Sequence, residues 1–124
     1  MKIVSAFPES DKPRVNYAAM LCKTSLKRFE EIELIAVKGS PRPFLDEMLT
    51  LAAEGSSGEY FGWINGDCQL LTAPSQLPLQ DFDVYGLRRL ELGIGEQCGG
   101  VDGYFIRKSF WESTLSRDLP HLYV

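Results

Sequence analysis

Glu31-Ile32-Glu33-Leu34-Ile35-Ala36-Val37-Lys38-Gly39-Ser40-Pro41 is the stretch whose reading decides the fold. Residues 32–37 are apolar apart from Glu33 and rich in β-branched side chains, the pattern of a strand buried on both faces of a parallel sheet. Lys38-Gly39-Ser40-Pro41 ends it, because glycine and proline punctuate regular structure. A parallel neighbour can be reached only through a crossover of a dozen or more residues, so a helix is expected on each side of this strand.

Working upstream, Val15, Ala18, Ala19, Cys22, Leu26 and Phe29 recur at helical spacing. Ser10 and Asp11 are candidate N-caps and Pro13 suits a first turn, so the spacing predicts a helix over about 13–29. Residues 3–7 form a short apolar run closed by Pro8, a first strand. Downstream, Ser40 or Pro41 leads into Phe44, Leu45, Met48 and Ala52 at helical spacing, and Gly55-Ser56-Ser57-Gly58 supplies a stop. Residues 60–65 are aromatic and β-branched, a third strand. Strand, helix, strand, helix, strand with short links predicts a parallel sheet built through right-handed crossovers.

The second half changes pattern. Pro74 and Pro78 flank a polar loop, residues 82–92 alternate loosely as a strand, 93–100 read as a Gly-rich turn, and 101–107 as another strand. This part is expected to be antiparallel or mixed. No repeat, linker or low-complexity tract divides the chain, so residues 1–124 read as one α/β domain.

Composition narrows the function. At 124 residues, 44% hydrophobic and 24% charged, with a mean hydropathy of -0.12, the chain has the balance of a globular protein. A net charge of -4 without long runs of one sign gives no footprint for nucleic acid. Cys22, Cys68 and Cys98 are odd in number and lack a CxxC spacing, and His121 is the one histidine. That pattern indicates neither a disulfide framework nor a zinc site, and a reducing cytoplasm is the expected compartment. No apolar run is long enough for a signal peptide or a membrane span. A nucleophilic triad is not credible with His121 alone, and the absence of GxGxxG and GxxxxGK[ST] disfavours hydride transfer and a P-loop.

In an open α/β sheet, ligands bind beyond the carboxyl ends of the strands. Three turns are expected there: Phe7-Pro8-Glu9, Lys38-Gly39-Ser40 and Asn65-Gly66-Asp67. They put Pro8, Glu9, Lys38, Ser40 and Asn65 forward as ligand-binding residues, with Gly66 turning the backbone so that Asn65 and Asp67 face one ligand. Mg²⁺ or Mn²⁺ is the natural guest, since such ions are held by one or two carboxylates plus ligand phosphates. Asn-Gly-Asp is equally an ordinary turn sequence. Arg88, Arg89, Arg107 and Lys108 are available to neutralise a diphosphate or to sit in solvent. Trp63 and Trp111 read as core residues or stacking surfaces, and Cys68 as a small buried residue.

Glu59-Tyr60-Phe61-Gly62-Trp63-Ile64-Asn65-Gly66-Asp67-Cys68-Gln69-Leu70 resembles the segment of GT-A-fold glycosyltransferases in which a strand ends in the metal-binding DxD-type motif. Gly100-Val101-Asp102-Gly103-Tyr104-Phe105-Ile106-Arg107-Lys108 is similar to the strand that follows it in those proteins. The resemblance implies a mostly parallel, three-layer, Rossmann-like sandwich of the nucleotide-diphospho-sugar transferase type. It implies that Asp67 ligates a divalent metal on the donor diphosphate and that Asn65 stands in place of the first acid. It also implies that Asp102 lines the donor or acceptor pocket as the best-placed carboxylate base. Lys38-Gly39-Ser40 departs from the acid that often contacts the nucleobase after the second strand. Residues 118–124 stand where relatives continue into acceptor-side structure, so the late metal ligand, often a histidine, is in question. His121 could be that ligand or part of a frayed tail. The expectations are therefore a short glycosyltransferase with a nucleotide-sugar donor and an unknown acceptor, or a remnant domain that binds the donor without turnover. If a second copy supplies the missing wall, Phe110, Trp111, Leu119, Leu122 and Tyr123 are the expected apolar contact of a homodimer.

Overall fold

The computed structural model describes residues 1–91 and 95–115. The element order is β1 (Lys2–Phe7), α1 (Pro13–Lys27), β2 (Glu33–Lys38), α2 (Leu45–Gly55), β3 (Tyr60–Ile64), β4 (Val84–Glu91), β5 (Gly95–Arg107) and a short α3 (Lys108–Phe110). α3 continues as a wider turn over Trp111–Leu115, and two 3₁₀ turns, Pro74–Gln76 and Leu79–Asp81, shape the loop before β4. The strands form one five-stranded mixed sheet in the order β2-β1-β3-β5-β4. β1 pairs parallel with β2 and β3, and β5 runs antiparallel between β3 and β4.

The period-2 alternation of β1 divides the core in two. Ile3 and Phe7 face Ala19, Cys22 and Leu26 of α1, while Val4 faces Met48, Leu49, Ala52 and Ala53 of α2. The helices thus cover opposite faces, giving three layers. Phe61 and Phe105 are fully buried, each contributing roughly 1.5–3 kcal/mol by leaving water. Trp111 is 5% exposed and meets Phe61 edge-on at 5.6 Å between ring centroids. No helix among the described residues is long and apolar enough to cross a membrane.

Several expectations need correction. β2 is covered on both faces only in part: Leu34 packs on the α1 side and Ile35 and Val37 on the α2 side, but it is an edge strand whose Glu33, Ala36 and Lys38 are exposed, and β3 is the strand buried at every position. An edge strand has a neighbour on one side only, so an apolar run does not guarantee double cover. Gly95–Gly100 is not a turn but the start of β5, because cross-strand pairing with β4 (Glu91 with Gly95, Arg89 with Gln97) satisfies its backbone. Trp111 is a core residue, not an exposed dimer contact, whereas Leu119, Leu122, Tyr123 and His121 lie outside the described residues. α1 starts without a side-chain cap. Ser10 instead accepts the Lys12 amide at 3.1 Å, and its carbonyl accepts the Asn16 side chain at 2.7 Å.

Candidate functional site

The ends of the parallel strands are pressed together so closely that two turns admit only glycine. A Cβ on Gly66 would stand 2.2 Å from the Ala6 carbonyl oxygen, and one on Gly39 would stand 2.6 Å from the Pro8 nitrogen. The Gly39 amide donates to the Phe7 carbonyl at 2.9 Å. The need for glycine here comes from close backbone approach.

The Asn65-Gly66-Asp67-Cys68 turn is tied on three sides. The Cys68 amide donates to the Asn65 carbonyl at 3.1 Å, closing the turn, and the Asn65 amide donates to the Asp102 carbonyl at 2.8 Å on β5. From below, the Cys22 thiol donates to the same Asn65 carbonyl at 3.7 Å. α1 also holds the segment that follows: the Leu70 amide donates to Ser25 Oγ at 3.0 Å, and Arg28 Nη2 donates to the Leu70 carbonyl at 3.2 Å. Ser25 was not singled out from sequence, although its helical spacing from Cys22 places it on the inward face.

Asp67 is exposed and lines a cleft of about 1070 Å³ with Asp102, Arg88, Arg89 and an apolar wall that includes Leu71, Phe82 and Leu90. The Asp102 side chain is 19% exposed, and its Oδ2 lies 3.5 Å from Arg89 Nε in an ion pair. That oxygen is enclosed and accepts no hydrogen bond. The Cys68 thiol donates to Asp67 Oδ1 at 3.4 Å. Burial pushes the Cys68 thiol up to about 12, with the nearby Asp67 and Asp102 carboxylates adding to the shift. Burial likewise pushes Cys22 up to about 11, against a hydrogen bond with Ser5 that lowers it. Neither sulfur has the character of a thiolate nucleophile.

Pro8, Glu9 and Lys38 line a different cleft of about 710 Å³ between α1 and β2, together with Lys23 and Lys27. The Lys23 ammonium lies 4.6 Å above the Phe7 ring. The two clefts share no lining residue, so the three turns touch through their backbones without facing one cavity. Ser40, which precedes a cis proline at Pro41, and Asn65 line neither cleft. Lys23 and Lys27 were missed from sequence. Their four-residue spacing on α1 was the available signal.

Arg107 and Lys108 are committed elsewhere, at the opposite end of β3. Arg107 Nε pairs with Asp83 at 3.0 Å and Nη1 with Glu59, while the Lys108 ammonium donates to the Ser56 carbonyl at 2.6 Å. Of the four basic residues considered, Arg88 and Arg89 reach the Asp67 cleft.

For a divalent ion the turn offers Asp67 as an open carboxylate with Asn65 two positions before it, whereas Asp102 Oδ2 is enclosed and ion-paired with Arg89. Among the described residues no three His, Cys, Asp or Glu side chains gather into a metal-holding group. In this cleft the described residues thus offer an ion one open carboxylate, that of Asp67. No protein-family model matches the chain, and no curated protein and no solved structure matches it.

Proposed function

We propose that the chain is a GT-A-like domain that binds a nucleotide-sugar donor with Mg²⁺ or Mn²⁺ at Asp67 and Asn65 and acts in sugar transfer. The observation that carries this reading is one of strand pairing. The two segments that resemble glycosyltransferase motifs lie 30 or more residues apart, yet β3 and β5 are antiparallel neighbours with Ile64 opposite Gly103. That register brings Asp67 and Asp102 into one cleft with Arg88 and Arg89. In this reading Asp67 serves the diphosphate, and the nucleoside extends from that cleft to the separate one lined by Pro8, Glu9 and Lys38, with Ser40 lining neither. The bound ion supplies charge neutralisation at the leaving nucleotide. The residues of this chain hold and orient: α1 meets the Asp67 turn through Cys22 and holds the segment after it through Ser25 and Arg28, and the two arginines add positive charge to the cleft.

A second reading, donor binding without turnover, is favoured by the geometry of Asp102, whose enclosed Oδ2 lies 3.5 Å from Arg89 Nε and so is poorly placed to reach an acceptor hydroxyl. Calorimetry with nucleoside diphosphates and nucleotide sugars, with and without Mn²⁺, tests the shared claim. Metal-dependent binding lost in Asp67→Ala is expected, and unchanged affinity would reduce Asn65-Gly66-Asp67 to a plain turn. Acceptor-dependent release of free nucleotide separates the enzyme from the binding module.

A further inference from the structure

The cleft that contains Asp67 is larger and more apolar than an ion and a diphosphate require. Among the described residues, seven large hydrophobic side chains are exposed, and three of them line this one cleft: Leu71 at 65%, Leu90 at 56% and Phe82 at 46%. Isolated exposed hydrophobics are ordinary, but several on one concave surface mark a binding site. Phe82 is also stacked edge-on against Tyr85 at 5.5 Å, which stiffens that wall. The same cleft is lined by the Asp67 and Asp102 carboxylates, acceptors by type, and by the Arg88 and Arg89 guanidiniums, donors by type. At about 1070 Å³ the space is at the upper end of small-molecule pockets, and its concavity suits a small molecule better than a flat protein face.

We infer that this cleft takes an amphiphilic acceptor, with a neutral hydroxylated head at Asp67 and Asp102 and an aliphatic body along Leu71, Phe82 and Leu90. Calling the occupant an acceptor rests on the donor reading above; its amphiphilic chemistry rests on the cleft alone. A neutral head fits because the two carboxylates of the cleft, Asp67 and Asp102, are balanced by the two guanidiniums of Arg88 and Arg89. The apolar body fits because burying it removes the three exposed side chains from water, with a gain that grows with chain length.

The test uses the whole chain and a series of n-alkyl β-D-glucosides, from methyl to octyl, titrated calorimetrically below their micelle-forming concentrations. Affinity is expected to rise about fourfold for each methylene buried. In Leu71→Ser/Leu90→Lys, two exposed positions whose change spares the core, the chain-length dependence is expected to vanish. Asp67→Asn is expected to weaken octyl glucoside more than octanol. Equal affinity for methyl and octyl glucoside overturns the inference. It is overturned as well if length dependence emerges only after residues 116–124 are deleted, which would give the groove to the chain's own terminal segment. Binding of Mn²⁺ with nucleoside diphosphate is measured on the same sample. Alkyl-dependent binding without nucleotide binding supports the amphiphile cleft while ending the donor reading, and the reverse result does the opposite.

Discussion

The two ends of the β3 and β5 pair handle charge in opposite ways. At the Tyr60 end, Arg107 is enclosed by partners: Asp83 and Glu59 accept from Nε and Nη1, and the Gln80 and Phe82 carbonyls accept from Nη2 at 2.9 and 3.2 Å. Its guanidinium also lies 5.0 Å from the centre of the Tyr60 ring. At the Ile64 end, Asp67 is open to solvent, Asp102 Oδ2 is enclosed and lies 3.5 Å from Arg89 Nε, and a cleft adjoins both carboxylates. The same two strands therefore carry a self-satisfied cluster at one end and, at the other, an exposed carboxylate beside a cleft. A basic residue's value as a ligand contact depends on which end it occupies, and residue type alone does not tell.

The strongest way to break the contrast is to destroy the scaffold of the open end. Gly66→Val drives a side chain into the Ala6 carbonyl and is expected to cost at least about 3 kcal/mol in urea denaturation, with loss of any binding at the Asp67 cleft. Asp67→Ala removes capacity without removing structure. Stability within about 0.5 kcal/mol of the parent is expected, alongside a roughly tenfold or greater loss of metal-dependent nucleotide affinity by calorimetry. Loss of stability comparable to that of Gly66→Val would show that Asp67 is a structural turn residue.

Arg107→Ala makes the opposite cut. It is expected to lower Tm measurably by leaving Glu59 and Asp83 facing each other, while donor affinity stays within about twofold. A large loss of affinity would mean that the closed end also serves the site. The smallest expected effect concerns the thiols beneath the open end. In the fold, Cys22 and Cys68 are pushed up from 9.0 to about 11 and about 12, so the native state holds protons that the unfolded chain releases near 9. Their contribution is intact below pH 9 and is lost as pH rises through 11 and 12. Chemical denaturation at pH 8 and at pH 10.5 is expected to show a steeper decline for the parent chain than for Cys22→Ala/Cys68→Ser. Parallel slopes would contradict the burial of these groups. At pH 8 both thiols are expected to react with iodoacetamide far more slowly than a free thiol.

What the chain could announce by itself was whatever repeats over short distances. The helical spacing of Ala19, Cys22 and Leu26, that of Met48 and Ala52, and the apolar strand runs around them each report a local period, and they placed β1, α1, β2, α2 and β3 in order. The Asn65-Gly66-Asp67 turn and the pairing of Asp67 with Asp102 as candidates were also legible, through motif and resemblance. Sheet position was not, because the same apolar run serves an edge strand or a central one, and only the neighbours of β2 decide between them. Nor could spacing tell that Arg107 and Lys108 point to the closed end while Arg88 and Arg89 line the open one, or that Trp111 packs on Phe61. Those outcomes depend on which strand lies beside which, over separations of tens of residues. The division of the three strand-end turns between two clefts has the same origin: α1 lies over β1, with one cleft on its β2 side and the other toward β4. Local periodicity wrote the elements, and long-range packing alone assigned each charged side chain a satisfied partner or an open cavity.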